Sequence, residues 1–79
     1  MAGVDDVPEL LVPDAAGWHD WLTDNHDHSP GVWLVIAKKG VIEPTSLQIA
    51  DALDEALCFG WIDGIRRGHD DTTYRQRFT

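Results

Sequence analysis

The chain has 79 residues, 43% of them hydrophobic, with four Trp, one Cys and a net charge of −8 from 14 acids against six bases. That length admits one domain with a modest core, and the apolar content lies well above that of disordered chains. A single cysteine excludes an internal disulfide framework and a Cys-pair zinc site. No apolar run nears the roughly 20 residues of a membrane span, and no signal-peptide pattern opens the chain, so a cytoplasmic location is expected.

The charge is uneven. Residues 1–31 carry seven acids and no Lys or Arg, while residues 32–79 carry seven acids and all six bases. An acidic surface repels nucleic acid at long range, so nucleic acid is not an expected partner.

Glu9-Leu10-Leu11-Val12, closed by Pro13, suits a short edge strand. Asp14 is a good N-cap for a helix running to about His26, with Trp18, Trp21 and Leu22 on one face. Val32 to Lys39 opens as an almost unbroken run of β-branched and aromatic residues, which predicts a central strand buried on both faces. Thr45-Ser46-Leu47-Gln48 reads as a capping box for a second helix, from about Ser46 to Cys58. Its apolar stripe is Leu47, Ala50, Leu53 and Leu57, widened by Ile49 and Ala56.

Gly60 supplies the left-handed residue that ends this helix, and a strand begins at Trp61 and runs to Arg67. After a turn at 68–72, Thr73 to Phe78 alternates, with Tyr74, Gln76 and Phe78 on one side and Arg75 and Arg77 on the other. The order β-α-β-α-β-β describes one α+β domain over residues 1–79, with two helices on a small mixed or antiparallel sheet. The helix-to-strand segment Glu55–Gly64 is its organising feature.

Four motifs together resemble a known family. They are W-H-D-W-L-x-x-N-H (Trp18 to His26), G-V-W-L-x-x-x-K-K (Gly31 to Lys39), E-A-L-C-F-G-W-I-D-G (Glu55 to Gly64) and Y-R-Q-R-F-T (Tyr74 to Thr79). The chain resembles the YdeI/OmpD-associated, or bacteriocin-protection, proteins over most of residues 18–79. The resemblance implies a bacterial cytoplasmic protein tied to envelope stress or peptide resistance. It also implies a further C-terminal half beyond Thr79, and it supplies no catalytic residue.

Several residues invite a chemical reading. Cys58 falls at a helix C-terminus, where the dipole raises a thiol pKa, so a buried structural cysteine is expected there. Trp61 fits either the core or a stacking platform. The two-residue period places Trp61, Asp63 and Ile65 on one partly buried face, where Asp63 needs a partner among Arg66, Arg67 and Arg77. Asp63 then either makes a structural ion pair or serves as a polar group in a ligand pocket. His19, His26 and His28, among Asp20, Asp24 and Asp27, suggest metal ligands only weakly, and a solvated helix end accounts for them. His69-Asp70-Asp71 has turn composition.

Lys38, Lys39 and the late arginines either converge on an anion or pair with the acids. The candidate ligand-binding set is therefore Trp61, Asp63, Arg66, Arg67, Tyr74, Arg77 and Lys38, with no catalytic, metal or cofactor assignment. The expected function is a non-catalytic binding or interaction domain, whose partner is a second copy of the chain or a segment beyond Thr79. The alternative is a small-ligand receptor or enzyme that binds an anionic group through Asp63 and nearby arginines.

Overall fold

The structure, a computed structural model, describes residues 7–79. In chain order it contains strand β1 (Glu9–Leu10), helix α1 (Ala15–Asn25), β2 (Val32–Ala37), α2 (Ile49–Cys58), β3 (Asp63–Gly68) and β4 (Thr73–Phe78). The strands form one sheet in the order β1-β2-β4-β3. β1 lies parallel to β2 and the other pairings are antiparallel, so the sheet is mixed and the fold is α+β.

β2 is the hydrophobic centre, and all six of its residues are buried. Its Val32, Leu34 and Ile36 face the helices and form the core with Trp18, Leu22, Ala52, Ala56, Trp61 and Phe78. Register explains the pattern on β4. Phe78, Gln76 and Tyr74 sit opposite Val32, Leu34 and Ile36, whereas Arg77, Arg75 and Thr73 sit opposite Trp33, Val35 and Ala37 on the other face. Trp18 is the hub of the helix side. It stacks on Trp21 with centroids 5.6 Å apart, and meets Trp61 edge-on at 6.4 Å and Phe78 at 5.5 Å.

α1 starts as the sequence dictates, with Asp14 Oδ1 accepting a hydrogen bond from Gly17 N at 2.9 Å. The start of α2 differs from expectation. Thr45 and Gln48 do not form a capping box: α2 begins at Ile49, and Gln48 is extended with no side-chain cap. Competing backbone partners explain this. Ala37 N donates to Leu47 O at 2.8 Å and Ser46 N donates to Pro13 O at 2.9 Å, so residues 46–47 are held as an extended tie between β2 and the 12–14 turn. Thr45 Oγ1 instead accepts from Leu47 N, and Gln48 Nε2 donates to Lys38 O.

The buried stripe expected for α2 holds at Leu47, Ile49, Leu53 and Ala56 and fails at Ala50 and Leu57, which are exposed. Ala52 and Ala56 are fully buried, with Ile49 and Leu53 beside them, while Leu57 is 62% exposed. The two alanines let α1 approach closely enough for Trp18 to reach the α2 backbone, which rotates Leu57 and Cys58 toward water. Cys58 is therefore an exposed free thiol, not a buried structural cysteine. Gly60, with φ +77°, closes the helix as anticipated, and Trp61 N then bonds back to Ala56 O.

Candidate interaction site

β3 forms one edge of the sheet, and all six of its residues are exposed. Among the described residues only β4 pairs with it, and that pairing is irregular. Asp63 lies opposite Phe78 and Arg66 lies opposite Gln76, so three steps along β3 match two along β4. The extra residue is a β-bulge, and it resets the alternation of side chains between faces. Asp63 and Arg66 consequently share the helix-side face and Arg67, opposite Arg75, takes the other. The strict two-residue count of the sequence reading does not hold across residues 63–66.

That reset separates the candidate ligand-binding residues. Trp61 is core, 6% exposed, with its indole Nε1 donating to His26 O at 3.1 Å. Asp63 is exposed on the edge strand rather than partly buried, and among the described residues no helix packs closely on β3. Arg66 lies over the Tyr74 ring at 4.4 Å on the helix-side face. Arg67 lies over Trp33 at 4.9 Å on the opposite face, with Arg77 5.9 Å from the same ring. Lys38 is exposed beyond the end of β2. The set thus divides between the two faces of the sheet, Arg66 on Tyr74 on one and Arg67 and Arg77 on Trp33 on the other, and is not one convergent pocket.

Sequence reasoning missed the other half of this arrangement. The sequence places Trp33 in a buried strand, yet it is also the platform on which two arginines rest. Arg75 anchors the same face: Nη1 donates to Glu9 Oε1 at 3.3 Å and Nη2 to Gly68 O at 3.1 Å. Trp33, Val35 and Ala37, all 6% exposed or less, lie on this face opposite Arg77, Arg75 and Thr73. The signal was present in the alternation of Arg75 and Arg77 on β4. What it lacked was the partner register that sets Trp33 opposite Arg77.

Hydrogen bonds tie down the edge at both ends. At its start, Ile62 and Thr79 exchange both backbone hydrogen bonds, at 2.9 and 3.1 Å. Just past its end, the Asp70 carboxylate accepts from the backbone N–H and the hydroxyl of both Thr72 and Thr73. These bonds, with the Thr72 N–H the largest contributor, hold the Asp70 carboxyl well below the usual carboxylate range. Thr73 Oγ1 donates to Asp70, so His69 donates to that hydroxyl from Nδ1, at 2.8 Å. The His69-Asp70-Asp71 composition is therefore a working turn.

The remaining histidines fasten α1. His19 Nδ1 meets Glu55 Oε1 at 2.7 Å and ties α1 to α2, while His26 and His28 bond the carbonyls of Leu22 and Asp24. Among the described residues no group of three or more His, Cys, Asp or Glu is placed to hold a metal ion, and no cavity encloses a small molecule. No helix of the described residues is long and apolar enough to cross a membrane.

Residues 10–79 match the family described as a domain of unknown function, DUF8412. The chain belongs to that family. No curated protein and no solved structure matches it. The DUF8412 match begins in β1 and takes in both helices, the β3 edge and the three cation–aromatic contacts.

Proposed function

We propose that this DUF8412 chain is a non-catalytic interaction domain that binds by extending its sheet at β3. The observation that carries this reading is the uniform exposure of β3, a six-residue edge strand with Ile62 and Ile65 beside or within it, 63% and 57% exposed. An edge strand offers a row of backbone donors and acceptors that a second extended chain completes. The absence of an enclosing cavity among the described residues supports surface binding over the alternative of a receptor or enzyme built around Asp63. The motif resemblance to YdeI/OmpD-associated proteins extends the proposal to a role in envelope stress or peptide resistance in the bacterial cytoplasm. A second copy of the chain is one candidate partner.

Ladder geometry gives the test. Ile62 bonds inward to Thr79 and Thr72 O accepts from Lys38 N, so alternation along β4 turns Thr73, Arg75 and Arg77 toward β3. The backbone groups of Asp63, Arg66 and Gly68 then point outward. In dilute protein, the amides of Arg66 and Gly68 should exchange hydrogen far faster than those of Arg75 and Arg77, and a bound partner should slow them. If the outward amides are as protected as the inward ones in dilute monomer, the edge is not open and the reading fails.

A further inference from the structure

We infer that the β3 edge pairs with the β3 edge of a second copy, antiparallel about a two-fold axis, with Asp63 of each copy opposite Arg66 of the other. This rests on the reading of β3 as a strand-addition site and names its partner. The bulge carries the argument. In a regular strand, residues three apart turn their backbone groups in opposite directions and their side chains to opposite faces. Between Asp63 and Arg66 the extra residue cancels that difference, so both point their backbone N–H and C=O outward and both lie on the helix-side face. An acid and a base are thereby presented together on the open side of the strand.

That arrangement is complementary to itself. In an antiparallel pair, a residue with outward backbone groups exchanges both bonds with an outward residue opposite it. Setting Asp63 opposite Arg66 of the second copy also sets Arg66 opposite that copy's Asp63, with the two-fold axis between Gly64 and Ile65. Both pairs join opposite charges on one face, the favourable cross-strand case. The two bulges then face each other at the axis. There the carbonyls of Gly64 and Ile65 already accept from the side-chain amide of the buried Gln76, at 2.6 and 3.3 Å, so pairing does not strand them. Ile65, 57% exposed in the single chain, loses water against Gly64 and Ile65 of the second copy. Symmetric registers that pair Arg66 with itself or with Gly68 instead bring arginines of the two copies together, and like charges in register are unfavourable. Arg67 keeps its place over Trp33 on the other face, and the pairing asks nothing of its guanidinium.

The experiment uses the full chain at physiological salt, where a screening length of about 8 Å mutes the long-range repulsion between two chains of net charge −8. Sedimentation over a micromolar-to-millimolar series should show a reversible dimer. Hydrogen exchange at the Asp63 and Arg66 amides should slow as it forms, while that of Gly68, beyond the paired segment, stays fast. Asp63→Arg and Arg66→Asp should each weaken dimerisation about tenfold or more, because each turns both pairs into like charges. Mixing the two variants in equal amounts should restore association, since each copy then meets the opposite charge at both positions. Unchanged exchange of the Arg75 and Arg77 amides shows that each variant folds. A natural chain that stays monomeric, a dimer indifferent to both substitutions, or a mixture no better associated than either variant alone would overturn the second copy as the partner of β3. Strand addition itself is judged separately, in dilute protein. Fast exchange at Arg66 and Gly68 in a chain that stays monomeric leaves the open edge standing for a foreign strand, and slow exchange there removes both readings.

Discussion

Trp18 donates its indole N–H to the main-chain oxygen of Ala52 across 3.0 Å, inside the core and 34 residues away in sequence. The contact joins the two helices where neither has a polar side chain to offer. Trp18 and Ala52 are both fully buried. The carbonyl of residue 52 also lies within the helical ladder of α2, so the indole takes its second lone pair. An indole buried without such an acceptor would be destabilising, and a side chain larger than alanine at position 52 would hold it off.

Replacing Trp18 by Phe keeps an aromatic ring in the cluster with Trp21, Trp61 and Phe78, but removes the donor and leaves part of the indole volume empty. We expect a loss of about 2 to 3 kcal/mol, the sum of a buried hydrogen bond and a small cavity. In a domain this small, the unfolding midpoint should fall by about 10 to 20 °C. Urea titration checks the value, and a change below about 0.5 kcal/mol would show that the indole N–H is not held by Ala52.

The same contact fixes how α2 is rotated, which gives a second expectation. Cys58 faces solvent, so a thiol reagent should modify it in the native protein within a few-fold of its rate in denaturant. Leu57→Lys should change stability by no more than about 0.5 kcal/mol, as surface substitutions do. Ala56→Leu should cost about 1 to 3 kcal/mol by overpacking against α1. Reversed effects at positions 56 and 57 would mean that α2 presents its Leu stripe to the core instead.

Much of this fold is legible in the sequence because local signals and burial agree. The Asp14 cap, the apolar run at Val32–Ala37 and Gly60 each carry their own physical cause, and each appears where that cause puts it. The failures occur where a long-range partner wins. Thr45–Gln48 has the composition of a capping box, but the Ala37 N–H and the Pro13 carbonyl claim its backbone first. Of the apolar stripe expected for α2, Leu47, Ile49, Leu53 and Ala56 reach the core, but where Trp18 meets the helix Ala52 is buried and Leu57 is exposed. In the candidate site, a single bulged residue between Asp63 and Arg66 reverses the faces of all that follows, and no local pattern announces it. The cation–aromatic pairs need two strands in register, so each arginine was visible while its platform was not.

Gly31 precedes the central strand with φ +135°, and a Cβ there would lie 2.8 Å from Phe78 O and 2.7 Å from Thr79 Cγ2. The backbone conformation and the close approach both exclude a side chain. Gly31→Ala should therefore destabilise by about 2 to 4 kcal/mol, more than an ordinary glycine substitution. The two causes can be separated. Truncating the second neighbour in Thr79→Ala relieves only the flexible contact, so the double variant should recover little. Substantial recovery would place the strain in the Thr79 side chain instead of the Phe78 carbonyl and the backbone.

Asp70 provides a pH-dependent test of the turn that joins the β3 edge to β4. Its carboxylate accepts four hydrogen bonds from Thr72 and Thr73, which hold its folded pKa well below the ordinary value. A depressed folded pKa means that the unfolded chain takes up the proton first. The stabilisation is thus fully present above the unfolded pKa of about 4 and is lost as pH falls below it toward the folded value. Asp70→Ala removes the acceptor altogether. The difference in unfolding midpoint between the natural chain and this variant should shrink steadily as pH falls below about 4. Taking the difference cancels the titration of the acids remote from Asp70. Asp70→Asn, which keeps one acceptor oxygen and cannot ionise, should lie between the two at neutral pH and show none of that additional pH dependence. A gap that stays constant through the acid range would mean that the turn is held by Thr73 and His69 without the Asp70 charge.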